Sequence, residues 1–119
     1  MGVYTNRAGE RKMRVVFCSV PVGEAKGLAR KIIEARVAAC VQIVPQVQSV
    51  YHWKGDVCED EEALLLIKTD ASVLQELTTL IKQAHSYSVP EIVSVAIEDG
   101  EGNLDYLQWL RQEVGQTQK

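Results

Sequence analysis

The sequence predicts an α+β domain of the ferredoxin-like βαββαβ class, with a long hairpin between its second and third strands and an extra C-terminal helix. Three observations support this class. Runs with a period of two residues alternate with runs of helical spacing in the required order. A glycine turn joins the two central strands, and no linker interrupts the 119 residues. We therefore expect one domain over residues 13–116, preceded by a flexible polar extension over residues 1–12.

The first half of the chain begins with a strand and a helix. Met13–Val20 is a compact apolar run rich in β-branched residues, which is typical of a buried strand. Apolar residues then recur every three or four positions over Glu24–Arg36, and this spacing predicts a helix. The acidic Glu24 and the basic Arg36 suit the positive and negative ends of the helix dipole.

A long alternating stretch, Ala38–Lys54, predicts the second strand. Pro45 cannot donate a hydrogen bond to a neighbouring strand, so it marks a bend, a bulge or a sheet edge. Gly55-Asp56 begins a turn, and the acidic tract Glu59–Glu62 leads into a third strand over Ala63–Thr69.

The second half repeats the helix and strand. Ser72–Gln75 has the form of a capping box and predicts the start of an amphipathic helix. His85–Pro90 is expected to be a loop, and Ile92–Ile97 the fourth strand. Asn103 is the expected N-cap of the last helix.

The length of the second strand predicts self-association. Seventeen residues in strand conformation extend roughly 55 Å, whereas a domain of about 100 residues is only about 30–35 Å across. The distal part carries Val47, Val50, Tyr51 and Trp53, which are costly to leave in water as one patch. The alternative is that Pro45 folds the strand back, so that both parts pack within the monomer.

The composition argues against several partners. Thirteen basic and sixteen acidic residues give a net charge near −3, which does not favour nucleic acid. The chain has no basic stripe for a membrane surface and no apolar run that could span a bilayer. Three cysteines without a C-x-x-C pair are typical of a reducing compartment, and residues 1–12 lack the apolar core of a signal peptide. We therefore expect a cytoplasmic protein with no nucleic-acid or membrane partner.

Known activities of this fold class require residues that the chain lacks. An RNA-recognition domain needs aromatic and basic residues on its third strand, which here is acidic and then aliphatic. A copper chaperone needs two cysteines after the first strand, where Cys18 stands alone. The sequence has no phosphate-binding glycine loop and no recognised Ser-His-Asp signature. No catalytic residue is predicted, and we do not expect an enzyme.

Thiol, imidazole and carboxylate side chains are the remaining candidates for ligand binding. The candidates are Cys18, Cys40, His52, His85 and Glu91. A thiolate, an imidazole and a carboxylate could ligate copper or zinc if the fold brings them together, but their spacing does not show this. The alternatives are that the cysteines are small buried hydrophobes and that His85 caps a helix C-terminus. His52 is expected on a solvated strand face. The aromatic residues are more typical of a core or an interface.

Several segments together resemble the CutA family, named for divalent-cation tolerance. The segments occur in the family's order over most of the chain: Cys18–Pro21, Ala38–Val41, Ser49–Gly55, Leu66–Thr69, His85–Ile92 and Tyr106–Leu110. The resemblance implies a ferredoxin-like, PII-like trimer in which long hairpins pack between subunits. It also implies a role in tolerance of copper and other divalent metal ions, with no obligatory cofactor.

The resemblance also implies site residues. Cys18, Cys40 and His85 become candidate ligands for Cu(II) or a similar ion, with Glu91 as a weaker one. The expected lining of a cleft between subunits is Tyr51, Trp53, Lys68, Tyr87, Tyr106 and Trp109. The family usually has proline after the histidine, and here Ser86 takes that place, which loosens the expected loop.

Four functions follow in order of preference. The first is a homotrimer that binds Cu(II) or similar ions without turnover. The second is a PII-like sensor whose cleft binds a small anion or nucleotide, as Lys68 and the aromatic residues indicate. The third is a trimeric scaffold for partner proteins, and the fourth is an enzyme.

Overall fold

The computed structural model describes residues 12–115. The predicted extension therefore lies outside the described residues, apart from Lys12. Four strands and three helices follow one another as β1 (Met13–Val20), α1 (Ala25–Glu34), β2 (Cys40–Trp53), β3 (Asp56–Asp70), α2 (Leu74–Ala84), β4 (Val93–Ala96) and α3 (Leu104–Glu113). Short 3₁₀ turns at Val22–Glu24 and Ala71–Val73 precede the first two helices.

The strands form one antiparallel sheet in the order β2-β3-β1-β4. The sheet and the element order confirm the ferredoxin-like prediction with its additional helix. None of the helices between residues 12 and 115 is long and apolar enough to cross a lipid bilayer.

Two apolar clusters hold the layers together. The larger one joins alternate residues of β1 and β3 to α1 and α2, and includes Val16, Leu65 and Ile67 from the sheet and Ile32 and Leu77 from the helices. The smaller cluster joins α3 to the start of β1 and consists of Met13, Leu107, Leu110 and Val114. Burial of these side chains supplies the main stabilisation of the fold.

A bulge interrupts the pairing of β2 with β3 at Pro45, and β2 is also an edge strand; a bulge and an edge are two of the three alternatives that the sequence left open. Val44 pairs with Leu64 and Val47 with Glu62, so two residues of β2 oppose one residue of β3. The extra residue inverts the alternation of β2 with respect to the sheet. Before the bulge, odd-numbered positions of β2 face α1 and α2; after it, odd-numbered positions share a face with Asp60 and Glu62.

The distal part of the hairpin projects beyond the rest of the sheet. β1 pairs with β3 only from Ala63 to Asp70, so residues 47–62 form a two-stranded arm. Lys54 and Gly55 have positive φ angles of 52° and 89°, which suit a two-residue hairpin turn. The radius of gyration is 15.6 Å and the longest dimension 46 Å, whereas a compact domain of about 100 residues has a radius of gyration near 13 Å. The arm therefore does not fold back onto its own sheet.

Two details of the prediction were wrong. β3 begins at Asp56, seven residues before the predicted start, because the acidic tract pairs with β2 along the arm. The Ser72 capping box does not form; the Asp70 side chain accepts a hydrogen bond from the Ser72 amide at 3.0 Å instead. Asn103 caps α3 as expected, by accepting from the amide of Asp105 at 3.0 Å.

The core predicts a contrast between two identical substitutions. Val16→Ala removes about two buried methyl equivalents from a side chain that is 0% exposed, and the free energy of unfolding should fall by about 2 kcal/mol. Val22→Ala is the control, because Val22 is 51% exposed and should change stability by less than about 0.5 kcal/mol. Urea unfolding at one protein concentration measures both values. Equal losses in the two variants would contradict the proposed core.

Candidate functional site

A groove lies between the hairpin arm and the loop that follows α2. Its volume is about 470 Å³. The arm contributes Ser49, Tyr51, Trp53, Asp60 and Glu62, and the loop contributes Tyr87, Ser88, Val89 and Glu91. The bulge at Pro45 places the three β2 residues beside the two acids of β3, because it shifts the odd-numbered positions onto that face.

Glu62 connects the arm to the loop. Its side chain is buried, with 5% of the residue exposed. Ser49 Oγ donates to one carboxylate oxygen at 2.6 Å, and the Tyr87 hydroxyl donates to the other at 2.7 Å. Beside this pair, the Tyr51 hydroxyl donates to Asp60. Hydroxyl donors therefore satisfy a carboxylate that would otherwise be costly to bury.

His85 anchors the loop to the end of β1. Its Nδ1 accepts from the Tyr87 amide at 3.0 Å, so Nε2 carries the hydrogen and donates to the Ser19 carbonyl at 2.8 Å. The imidazole is buried and lies beside the Tyr87 ring, with 4.7 Å between ring centroids. Both ring nitrogens are thus engaged within the chain.

The four predicted metal ligands do not all come together. Cys18 and His85 both reach the Ser19 carbonyl, Cys18 Sγ at 3.8 Å, and Glu91 lies close enough to influence Cys18 electrostatically. Cys40 lies instead on β2, where it pairs with Lys68 of β3. β3 separates β2 from β1 in the sheet, so Cys40 is two strands away from Cys18. Among residues 12–115, no three histidine, cysteine or acidic side chains are grouped so that they could hold a metal ion.

The chemistry of these donors also opposes metal binding in this conformation. Burial, then Glu91 and Glu62, raise the pKa of the Cys18 thiol from 9.0 to about 12. A metal ion needs a thiolate and an imidazole nitrogen with a lone pair to donate. The donor set therefore fits a metal ion only if the His85 hydrogen bonds break and the thiol loses its proton.

The groove carries negative potential. The hydrogen bond to Asp60 raises the pKa of Tyr51 to about 12, with smaller contributions from burial and nearby acids. Burial and the hydrogen bond to Glu62 raise the pKa of Tyr87 still further. Each of these shifts includes repulsion between a carboxylate and the developing anion. No lysine, arginine or histidine from the described part of the chain lines the groove.

The six predicted cleft residues form two groups within one chain. Tyr51, Trp53 and Tyr87 line the groove. Lys68 lies with α3 instead, 3.3 Å from the Tyr106 hydroxyl and 5.3 Å from the centre of the Tyr106 ring. The Tyr106 and Trp109 rings are in turn 5.6 Å apart. Their assignment to one cleft between subunits stays a prediction.

Sequence reasoning missed Ser19, Ser49, Asp60 and Glu62. The sequence predicts that the acidic tract Glu59–Glu62 precedes the third strand, and it does not show which of these acids is covered. The available signal was the alternation of Asp60 and Glu62 on one strand face, opposite Ser49 and Val47. The sequence does not show which face these acids occupy, because that depends on the register of β2 and β3 after the bulge.

Comparison with known proteins establishes the family. The family model described as CutA1 divalent ion tolerance protein matches residues 14–113. The divalent-cation tolerance protein CutA of Thermus thermophilus is 47% identical over 102 residues, which cover 85% of this chain and 97% of that protein. The chain belongs to the CutA1 family. The family description names tolerance of divalent ions and no chemical reaction.

Other CutA1 relatives extend the comparison. A chloroplastic CutA of Oryza sativa is 50% identical over 82% of this chain, but the match spans only 54% of that longer protein. The solved structure of Thermus thermophilus CutA1 aligns with a TM-score of 0.81 and 46% sequence identity. The alignment covers 87% of this chain and 99% of the Thermus chain. A structure described as the PII-like protein CutA of Nostoc sp. PCC 7120, in apo form, has a TM-score of 0.79 at 27% identity and covers 85% of this chain and 96% of its own. Because a relative is chloroplastic, the cytoplasmic location stays a prediction.

The hydrogen bonds of Glu62 predict a stability difference between two tyrosine variants. Tyr87→Phe removes a donor from the buried carboxylate, and the free energy of unfolding should fall by about 1–3 kcal/mol. Tyr106→Phe is the matched control, because that hydroxyl is exposed and faces a lysine. Urea unfolding distinguishes them; equal stability of Tyr87→Phe and the parent protein would contradict the assigned role of Tyr87.

The raised pKa of Cys18 predicts slow alkylation in the folded protein. With a pKa of about 12, on the order of one thiol in ten thousand is ionised at pH 8, and reaction with iodoacetamide requires the thiolate. We expect the half-buried Cys40 and Cys58 to react first, and the rate at Cys18 to rise about tenfold per pH unit below pH 12. Peptide mass spectrometry measures each rate. If Cys18 reacted as fast in the folded protein as in the urea-unfolded protein, the fold would not protect the thiol.

Proposed function

We propose that this CutA1 protein acts in divalent-cation tolerance as a homotrimer that binds cations without chemical turnover. The observation that carries the proposal is the charge of the groove. Asp60, Glu62 and Glu91 line it, and no basic side chain among residues 12–115 neutralises them there. Carboxylate oxygens favour divalent cations, and the electrostatic attraction is strongest where water is partly excluded.

Self-association is supported by the surface of the arm. Val50, Trp53 and Val57 are 66%, 50% and 65% exposed in the single chain. A two-stranded ribbon is marginally stable without packing partners, and exposed apolar surface of this kind marks an interface. In a cyclic trimer each arm would pack on the next subunit through a heterologous contact that closes into a ring of three.

A PII-like sensor for a small molecule is the second candidate. The groove has the volume of a small-molecule site, and the Nostoc relative is described as PII-like. The negative charge of the groove favours a cation over the anion expected from Lys68, since Lys68 lies with Tyr106 instead.

Calorimetric titration of the metal-free protein with Cu(II) tests the first proposal. We expect binding that weakens at least tenfold in Glu91→Gln, because one charged ligand of the groove is lost. His85→Ala tests the alternative ligand set of Cys18, His85 and Glu91; a loss of binding in both variants would favour that set. Glu98→Gln, an exposed acid outside the groove lining, is the control. Heat changes no larger than those of buffer would refute cation binding.

Trp53→Arg tests self-association. If neighbouring subunits cover Trp53, the substitution buries an unpaired charge, and the trimer should dissociate at micromolar concentration. Val22→Arg is the control, since Val22 has nearly the same exposure, 51% against 50%, but lies outside the arm. Light scattering gives the mass of each variant. An unchanged trimer mass in Trp53→Arg on dilution would exclude Trp53 from the interface.

A further inference from the structure

The sheet face opposite α1 and α2 is apolar, and we call it the open sheet face. Residues that pair across neighbouring strands project from the same face of a sheet. Three cross-strand rows form the open sheet face: Cys40, Lys68, Val15 and Val95; Gln42, Leu66, Phe17 and Val93; Val44, Leu64 and Ser19. α3 packs on one end of this face, against Met13.

The open sheet face leaves apolar side chains in contact with water in the single chain. Val93 and Val95 are 55% and 51% exposed, whereas Val16 and Ile67, on the helix-covered face, are 0% exposed. A face of an antiparallel sheet that meets water normally alternates to polar residues. A contiguous apolar surface of this kind indicates a covering partner.

Opposite charges lie at the two ends of the open sheet face. Alternation along β3 carries one face from Lys68 to Glu62 at the groove. Lys68 is the one basic residue of the three rows, and no acidic side chain between residues 12 and 115 forms an ion pair with it. The six-residue separation corresponds to roughly 20 Å of strand, so Lys68 does not reach the groove of its own chain.

Glu91 is the groove acid that can receive a cation. Hydroxyl groups of the same chain already donate to Glu62 and Asp60. Glu91 is exposed, and no donor among residues 12–115 hydrogen-bonds to its carboxylate. Each chain therefore has an ammonium without an anion and a carboxylate without a cation, at opposite ends of one apolar face.

We propose that the open sheet face binds a second copy of this chain, with Lys68 of each subunit in the groove of the next and its ammonium beside Glu91. This inference rests on the proposed self-association and names the surface on which the subunits meet. Apolar burial supplies the affinity, and the charge pair fixes the register of the two copies. Three carboxylates against one ammonium leave the groove negative, so it still attracts cations.

Charge reversal on the full chain tests the pairing. Lys68→Glu should raise the dissociation constant of the oligomer about tenfold or more, because two carboxylates then meet at the interface. The double variant Lys68→Glu/Glu91→Lys should restore assembly, which a variant that merely failed to fold would not do. Lys26→Glu makes the same charge change on the exposed side of α1 and is the control. Light scattering over a dilution series gives each dissociation constant, and circular dichroism checks the fold.

A matched pair of valine variants tests the apolar part of the face. Val95→Lys should dissociate the oligomer, because the neighbouring subunit would bury its charge. Val22→Lys should not, since Val22 is equally exposed at 51% but lies outside the open sheet face. Equal dissociation constants for the two variants would overturn the inference.

Failure of this inference is distinguishable from failure of the proposed trimer. A parent chain that is monomeric at every concentration would overturn both. An oligomer that is unchanged in Lys68→Glu, or not restored by Glu91→Lys, would overturn the inference and leave self-association in place. A dimer mass with the expected charge-reversal behaviour would support this interface and overturn the ring of three.

Discussion

The extra residue in β2 at Pro45–Gln46 is the constraint on which the groove depends. A strand alternates strictly, so without the bulge Ser49, Tyr51 and Trp53 would follow Val41 and Ile43 on the face covered by α1 and α2. The bulge inverts that alternation and brings these polar and aromatic side chains beside the acids of β3. Proline suits the position, because an edge strand has no partner there for the missing N–H.

Glu62 is the residue that connects the arm to the loop and so forms the groove. Its hydrogen bonds to Ser49 and Tyr87 tie the arm to the loop, and His85 ties the same loop to the Ser19 carbonyl of β1. A buried carboxylate with too few donors is costly, so these contacts favour one arrangement of arm and loop over others. His85, one of the four predicted metal ligands, therefore holds the loop in place. The negative charge of the groove is the basis of the proposed cation binding.

Most of the fold could be predicted from the sequence because it follows local periodicity. The alternation of Met13–Val20, the helical spacing after Glu24 and the Asn103 cap are each visible within a few residues. The family resemblance was visible in the same way. The start of β3 and the cap before α2 were not, because pairing along the arm extends the strand. The Asp70 side chain accepts from the Ser72 amide, which in a capping box would donate to the side chain of Gln75. Local preferences yield where a tertiary contact satisfies the same group better.

The sequence by itself determined the element order, the long hairpin and the position of its irregularity, since proline and two-residue periodicity act locally. It also supplied the correct family. Only the tertiary structure decided that His85 is held by two hydrogen bonds, that Cys40 lies two strands from Cys18, and that Glu62 is the covered acid. These outcomes depend on strand order and on a one-residue register shift, which relate residues far apart in the chain. No spacing within a single segment encodes such relations.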